Sequence, residues 1–479
     1  MSFTKIAPAT PFVGAPKINL AGVYGASPCK PIILRVPVIG ERPVKCSALG
    51  LPKGLSLDGQ VLSGSIEEQG SYEITIVAEN AHGKDEKRVR LEIAPNHLLL
   101  TPLLGFTTWN AFGADVSQKD LLDTADRLVE LGIAEYGYGY VNTDSGWQGE
   151  YGGKHDAIMP NYKFPDMRAM TDAIHAKGLK CGIYSTPMLT AWGCPKEFPS
   201  IPGCTVGERD YRFADTNTGI GLIRKERNNV AQWDEWGFDY LKYDWRPTDS
   251  VNAELMRVEL LKASRDFGFC VTVEAMPQYR DYWSRFCNSY RSNEDSDGTW
   301  KRMLEIYETY FGFMPYVNQG HYFDLDMLDI GTCRCDATTV RLSEDEMIFS
   351  YSMRAFLNSP IQISSVLDNV TDFEMALYCN EEILAIHQDA ACSVAKPILR
   401  AEGLDVMEKQ LSDGSYAYAF FCIGESACEV KAALDGAGTP RDVWAKCDLT
   451  AGDTIGLSMQ PHTVRILRSA SRIKEVKLA

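Results

Sequence analysis

No apolar run in the chain approaches the roughly 20 residues needed to span a bilayer, so a membrane partner is not expected. The opening stretch, MSFTKIAPATPFVGAPKINLAGVYG, carries Lys5 but no continuous apolar segment. It does not read as a secretion signal, and a cytoplasmic location is the expectation. No CxxC pair occurs among the 14 cysteines, which are scattered from Cys29, Cys46, Cys181 and Cys194 onward. Cys333 and Cys335 form a CxC with only His321 nearby, short of the four ligands a structural zinc site needs, so no metal is expected. The cysteines are too sparse for a disulfide scaffold and read as reduced, mostly buried thiols. No GxGxxG or GxxxxGK[ST] follows a strand-like segment, and HExxH and a serine nucleophile elbow are also absent; no cofactor is expected. Positive charge is short: 48 Lys and Arg against 64 Asp and Glu leave a net charge of -16. Such a surface repels phosphate backbones, so nucleic acid is not an expected partner. Residues 1–95 contain no tryptophan.

What is present is the composition of a globular protein with a large core, 45% hydrophobic and 23% charged. At about 150 residues per domain, the length suggests two to four units. Residues 1–95 read as all-β. SYEITIVAEN puts Tyr72, Ile74, Ile76 and Ala78 on one face; a turn near Gly83 follows, and Val89, Leu91 and Ile93 alternate again. Gly54, Gly59 and Gly64 punctuate short strands upstream, and Pro95 and Asn96 mark a boundary.

From about residue 98, strands alternate with helices. DVSQKDLLDTADRLVELG starts with Ser117 as N-cap and Asp120 in the capping-box position. It carries the stripe Leu121, Ala125, Leu128 and Val129, and stops at Gly132. YGYGYVNTDS reads as a strand, FPDMRAMTDAIHAKG as a helix closed by Gly178, and LKCGIYS as a buried strand. FDYLKYDW, NAELMRVELLKAS and FCVTVEA repeat the cycle. A parallel sheet covered by helices follows, and the length suits a (β/α)8 TIM barrel better than a doubly wound sheet. After about residue 390, SDGSYAYAFFCIG, ACEVKAAL, RDVWAKC and HTVRILRS are short apolar strands of a C-terminal antiparallel β-sandwich. The expected division is therefore a β-sandwich at 1–95, a catalytic barrel at 96–390 and a second β-sandwich at 391–479.

Barrel enzymes carry their chemistry at the C-terminal ends of the strands. Asp144, Asp244, Glu274 and Asp295 fall at such ends, beside Trp109, Trp147, Tyr184 and Trp245. A lone Asp there is more often a loop cap, and EDSD at 294–297 would usually be a solvated loop. Lys242, in a strand that reads as buried, is harder to dismiss, because lysine is almost never buried unpaired. Placed near Asp244, it would keep that carboxylate ionised. Carboxylates without metal or cofactor signatures suggest glycoside hydrolysis, which needs one ionised and one protonated carboxyl, and aromatic faces suit the C–H face of a sugar.

Between Leu104 and Ala390 the chain resembles glycoside hydrolase family 27, the α-galactosidase and α-N-acetylgalactosaminidase family of clan D. GFTTWNAF at 105–112 resembles its GWNSWNAF, NTDSGW at 142–147 its NIDDGW, and KGLKCGIY at 177–184 is close to a literal match. WGFDYLKYDW at 236–245 resembles the nucleophile segment and RSNEDSDGTW at 291–300 the acid/base segment. DLDMLDIG at 324–331 is similar to DPDMLVIG and LAIHQD at 384–389 to IAINQD. Leu51 to Gly83 resembles the Ig-like domains attached to bacterial glycosidases. The resemblance implies a barrel with a C-terminal β-sandwich and an oligosaccharide or glycoside substrate. It also implies retaining chemistry, with carboxyls about 5–5.5 Å apart. Asp244 would be the nucleophile and Asp295 the acid/base. Asp144, Lys242, Glu274 and Arg291 would bind sugar hydroxyls, Tyr184 and Trp147 would shape the pocket, and Asp326 would lie near the acid/base.

The departures bear on specificity. Ser145 stands where the family has a second aspartate that grips O4 and O6 of galactose, so a charge-assisted contact is lost. Phe106 replaces a tryptophan at the pocket, and Trp245 and Arg246 replace a cysteine that often forms a disulfide. The expectation is an exo-acting α-galactosidase-like hydrolase. Alternatives on the same barrel are β-L-arabinopyranosidase, α-N-acetylgalactosaminidase or isomalto-dextranase-like activity; the alternative of another class is a non-catalytic carbohydrate-binding protein. A second copy of the chain is the one protein partner kept in view.

Overall fold

The computed structural model describes residues 3–186, 224–244, 249–272, 276–334 and 342–478. At the N-terminal end, Gly70–Asn80 and Gly83–Ile93 form a hairpin whose pairing runs from Gly70 opposite Ile93 to Asn80 opposite Gly83. Its inward residues Ile74, Ile76, Ala78, Val89, Leu91 and Ile93 are buried, because side chains alternate faces along a strand. Val23–Ala26 and Lys45–Leu49 flank the hairpin in a four-stranded sheet, and Ile32–Arg35, Val61–Gly64 and Leu55–Asp58 form a three-stranded one. Both sheets feed one core, in which Ile32 and Leu62 meet Ile74, Val89 and Leu91. The expected all-β character of this segment is thus present as two packed sheets.

The central region is a ring of parallel strands, here β1 (Leu104–Thr107), β2 (Tyr140–Asn142), β3 (Lys180–Ser185), β4 (Tyr240–Tyr243), β5 (Gly268–Val271), β6 (Ser289–Tyr290), β7 (Tyr322–Phe323) and β8 (Ile361–Ile363). Each pairs with the next from β1 to β7, and β8 pairs back onto β1, Leu104 opposite Ile361. Among the described residues no ladder joins β7 to β8; Leu328 N donating to Gln362 O at 2.9 Å and Leu325 N to Ser359 Oγ at 2.9 Å lace that seam. Helices α1 (Gln118–Glu130), α2 (Met167–His175), α3 (Glu226–Trp236), α4 (Ser250–Lys262), α5 (Arg280–Phe286), α6 (Trp300–Phe313), α7 (Glu344–Phe356), α8 (Asp372–Tyr378) and α9 (Glu381–His387) follow the strands. This is the expected TIM barrel.

The start of α1 follows its sequence. Ser117 caps it, Asp120 completes the capping box, and Leu121, Ala125 and Leu128 face inward. Gly132 leaves the helix at φ 78°, a region open to glycine. The strand expected over YGYGYVNTDS is shorter, Tyr140–Asn142. Gly137 at φ 102° ends the preceding turn, and Thr143 begins the loop that carries the site.

The N-terminal sandwich docks at the strand starts. Glu135, 1% exposed, receives Arg35 at 2.5 Å, Arg42 at 3.1 Å, Gln60 Nε2 at 2.7 Å and Val38 N at 3.0 Å. Ser27 N donates to Asp266 at 2.7 Å and Lys180 Nζ to Tyr24 at 2.9 Å. These contacts lie at the end of the barrel opposite the strand-end carboxylates.

Residues from Lys396 onward form antiparallel sheets of six and three strands around Leu404, Val406, Phe420, Val430 and Leu457. RDVWAKC, expected as a strand, pairs only at Arg441–Asp442 and Cys447–Asp448. Asp442 accepts Ala445 N at 3.0 Å and closes a turn, which sends Trp444 into the barrel against Tyr351 with Nε1 on Ser352 Oγ at 2.8 Å. No described helix is long and apolar enough to cross a membrane.

Candidate active site

The strand ends bring most of the sequence-selected residues to one face. Asp144 follows β2, 3% exposed; Thr108 Oγ1 accepts its backbone N–H at 2.8 Å, and its own Oδ1 accepts Ser145 N at 2.7 Å. Its Oδ2 receives Lys242 Nζ at 2.6 Å. The ion pair of Lys242 is with Asp144, and Asp244 is a further opposite charge acting on the same ammonium. Strand alternation explains this: Lys242, two residues before Asp244, points the same way from β4 and reaches across β3 toward β2. Burial alone would lower the Lys242 ammonium, but Asp144 and then Asp244 hold it above its ordinary value. Burial pushes the Asp144 carboxyl up, and Lys242 opposes that push. Lys242 Nζ also lies 5.6 Å from the centre of the Tyr184 ring.

Asp244, 7% exposed, stands at the end of β4, with its backbone N–H donating to Ser185 O at 2.9 Å. Thr272 Oγ1, at the end of β5, donates to Asp244 Oδ1 at 2.5 Å. A neighbouring hydroxyl thus fixes the carboxylate on a rigid strand end. Trp147 and Tyr184 are buried, and Trp147 Nε1 donates to Tyr184 O at 3.0 Å, tying the loop after β2 to β3. Phe106 is fully buried against Phe112, ring centres 6.3 Å apart, and belongs to the barrel core. Ser145 is buried and its Oγ has no partner among the described residues. Glu274, Trp245, Arg246, Cys194 and Cys335 lie outside the described residues.

Just past β6, Arg291 N donates to Val271 O at 2.9 Å, and its guanidinium, 3% exposed, holds Asp295 Oδ1 at 2.6 Å and also contacts Asp326 Oδ2. Asp295 itself is 77% exposed, open to a ligand. Asp326 sits at φ 70°, a backbone region costly for a residue with a Cβ. Its neighbours over-determine that conformation: Asp326 N donates to Asp324 Oδ1 at 2.9 Å, Ser296 N to Asp326 Oδ2 at 2.8 Å, and Arg354 Nε to Asp326 O at 2.8 Å. Burial would raise the Asp326 carboxyl, but Arg291 leads the groups that hold it below its ordinary value. Burial takes Asp324 up to about 6 and Asp329 up to about 7.

Sequence reasoning passed over Thr108, Thr272, Ser296, Asp324, Asp329 and Arg354. A usable signal existed for two of them. DLDMLDIG sets Asp324 and Asp329 among apolar residues, where carboxylates need partners. The threonines and Arg354 carried no such mark, since their role lies in contacts between strands.

A family model described as Alpha galactosidase A matches residues 101–205 and 215–389. "Alpha-galactosidase A" of Cellvibrio japonicus (strain Ueda107) is 30% identical over 352 residues, 70% of this chain and 79% of that protein. An "Alpha-galactosidase" of Oryza sativa subsp. japonica is 27% identical over 394 residues, 79% of this chain and 87% of that protein. A crystal structure from Bacteroides fragilis NCTC 9343, provisionally described as an alpha-galactosidase/melibiase, superposes with a TM-score of 0.86 at 27% identity, covering 96% of this chain and 98% of that one. A Geobacillus stearothermophilus β-L-arabinopyranosidase shares the fold at a TM-score of 0.67 and 20% identity, over 77% of this chain and 97% of that one. A matched model across more than half of the chain, on a barrel with its acidic groups gathered at one end, means that the chain belongs to the alpha-galactosidase family of glycoside hydrolases, family 27.

Proposed function

We propose that this glycoside hydrolase is a retaining exo-glycosidase acting on terminal α-galactosyl residues, with Asp244 as nucleophile and Asp295 as acid/base. The observation that carries the reading is the contrast between the two carboxyls. One is buried and fixed by Thr272 at a strand end; the other is solvent-open and anchored through one oxygen by Arg291. Asp244 would attack the anomeric carbon and form a glycosyl ester, while Asp295 gives its proton to the departing oxygen. Asp295, now a carboxylate, would take a proton from water as that water attacks the ester, releasing Asp244. Two inversions give retention. Asp144 and Lys242 supply a fixed acceptor and a fixed cation for sugar hydroxyls, and Arg291 and Asp326 hold the acid/base. Asp244→Asn and Asp295→Ala should each lower kcat by about 100-fold or more on an α-galactoside; near-full activity in either removes the assignment.

A second reading concerns the sugar. Ser145 is neutral and short, and its buried hydroxyl is unpartnered among the described residues. A pentopyranose without the C6 hydroxymethyl asks less of that corner, which favours β-L-arabinopyranoside as the competing substrate. A panel of aryl α-galactoside, β-L-arabinopyranoside, α-N-acetylgalactosaminide and α-glucoside decides among them, and binding without any hydrolysis would favour a carbohydrate-binding protein instead. The division at 1–95, 96–390 and 391–479, an Ig-like spacer role for the first part and a reducing compartment, favoured by free thiols at every described cysteine, complete the proposal.

A further inference from the structure

The segment from Arg291 to Gly298 carries Asp295, and its ladder support ends early. Tyr290 is the last residue of β6, and the next regular element begins at Trp300. Beyond Arg291, side chains fix the segment. Asp326 Oδ2 accepts Ser296 N at 2.8 Å. Asp329 Oδ2 accepts the Ser296 hydroxyl and, at 3.3 Å, Gly298 N. Asp329 Oδ1 accepts Asn110 Nδ2 at 3.1 Å. Asn110 lies in the short helix Trp109–Phe112 behind β1, and Ser364 Oγ, past β8, accepts its backbone N–H at 3.0 Å. Loops after β1, β6 and β7 therefore meet at one carboxyl that is 2% exposed. The family segment resembled by DLDMLDIG has valine at this position, and a valine side chain accepts no hydrogen bond.

We propose that Asp329 is a positioning residue for proton transfer by Asp295: it latches Ser296, the next residue, to the loop behind β1, and so sets where the Asp295 carboxyl stands relative to the leaving oxygen. The inference rests on Asp295 being the acid/base. Asp329 touches no reacting atom; it acts through the backbone of the segment. A misplacement of about 1 Å can cost about 100-fold in rate, so a small displacement of this segment is enough to matter. Burial pushes the Asp329 carboxyl up, with Asp326 and Asp297 adding to the rise and Arg354 opposing it. A proton on Asp329 would take an acceptor from a latch built of donors.

The test compares Asp329→Val and Asp329→Asn with the parent on two substrates carrying the preferred sugar, a 4-nitrophenyl glycoside and a disaccharide. An activated aryl leaving group needs little protonation, whereas a sugar leaving group needs it fully. The expected result is a kcat/KM loss of about tenfold or more on the disaccharide and at most a third as large on the aryl glycoside; kcat/KM reads the step in which the leaving group departs, whereas water attack on the ester is common to both substrates. Asp329→Asn, which keeps an acceptor oxygen, should lose less than Asp329→Val. Equal losses on both substrates, or no loss, would overturn the proposal. If Asp329→Val does not fold, as judged by circular dichroism, Asp329→Asn decides alone. Asp295→Ala on the same substrates separates the two failures. If it spares the disaccharide, the acid/base reading falls and takes the latch with it; if it is selective while the Asp329 variants are not, the latch alone falls.

Discussion

At the scale of single residues, the site is a problem of buried charge. Asp324, Asp326 and Asp329 stand within one segment, and two guanidiniums, Arg291 and Arg354, face them. Two of the three acids respond to burial by holding their protons, Asp324 to about 6 and Asp329 to about 7. An unfolded aspartate titrates near 4. Between about pH 4 and pH 6 the folded chain therefore binds more protons at Asp324 than the unfolded chain, and the stability this residue contributes falls as pH rises through that window. Asp324→Asn cannot ionise, so its Tm relative to the parent should move in its favour from pH 4 to pH 7; a gap constant with pH contradicts this account. Ser145 makes a second prediction. Ser145→Asp should raise the ratio of α-galactoside to β-L-arabinopyranoside activity by about tenfold, the scale of one charge-assisted hydrogen bond. An unchanged ratio in steady-state assays means another residue grips that corner.

At the scale of elements, the barrel depends on how closely its strands approach. Gly182 in β3 has no room for a methyl group: a Cβ there would lie 2.1 Å from Asn142 Oδ1 and 3.0 Å from the Tyr240 ring. Asn142 precedes the site loop and donates from Nδ2 to Gln362 at 3.0 Å. Gly182→Ala should cost about 1–3 kcal/mol, the usual penalty of overpacking, read as a lowered Tm in a thermal melt, with activity falling because Asp144 moves with Asn142. The ends of α1 were legible in the sequence because a capping box and a terminal glycine are local signals. So were the positions of Asp144 and Asp244 just past β2 and β4, since runs that stop at a polar residue mark a strand end; Asp295 instead lies five residues beyond β6, in the loop that follows it. The partner of Lys242 was not legible, because register between β2, β3 and β4 decides whether it meets Asp144 or Asp244. RDVWAKC misled for a similar reason: its apolar residues serve the barrel face under Trp444 and not a strand of the sandwich.

At the scale of the molecule, the N-terminal sandwich is bound to the barrel through a buried acid. Glu135 gathers Arg35, Arg42, Gln60 and Val38 N. Removing one partner of such a group strands the others, at a cost of about 3 kcal/mol. Glu135→Ala should lower the Tm by several degrees while leaving kcat of the folded protein unchanged, because these contacts sit at the strand starts, away from the carboxylates. A loss of kcat with an unchanged Tm would mean that the two ends of the barrel are coupled. The seam between β7 and β8 has a different significance. Every other junction in the ring is a run of main-chain bonds that yields only when the barrel does. This one is a few separate laces, on the flank that bears Asp324, Asp326 and Asp329. Deuterium from solvent should reach the amides of Leu325 and Leu328 well before those of Val141 or Leu241, since their bonds can open without unzipping a ladder. The wall that carries Asp326 and Asp329 is therefore the part of the barrel expected to open first.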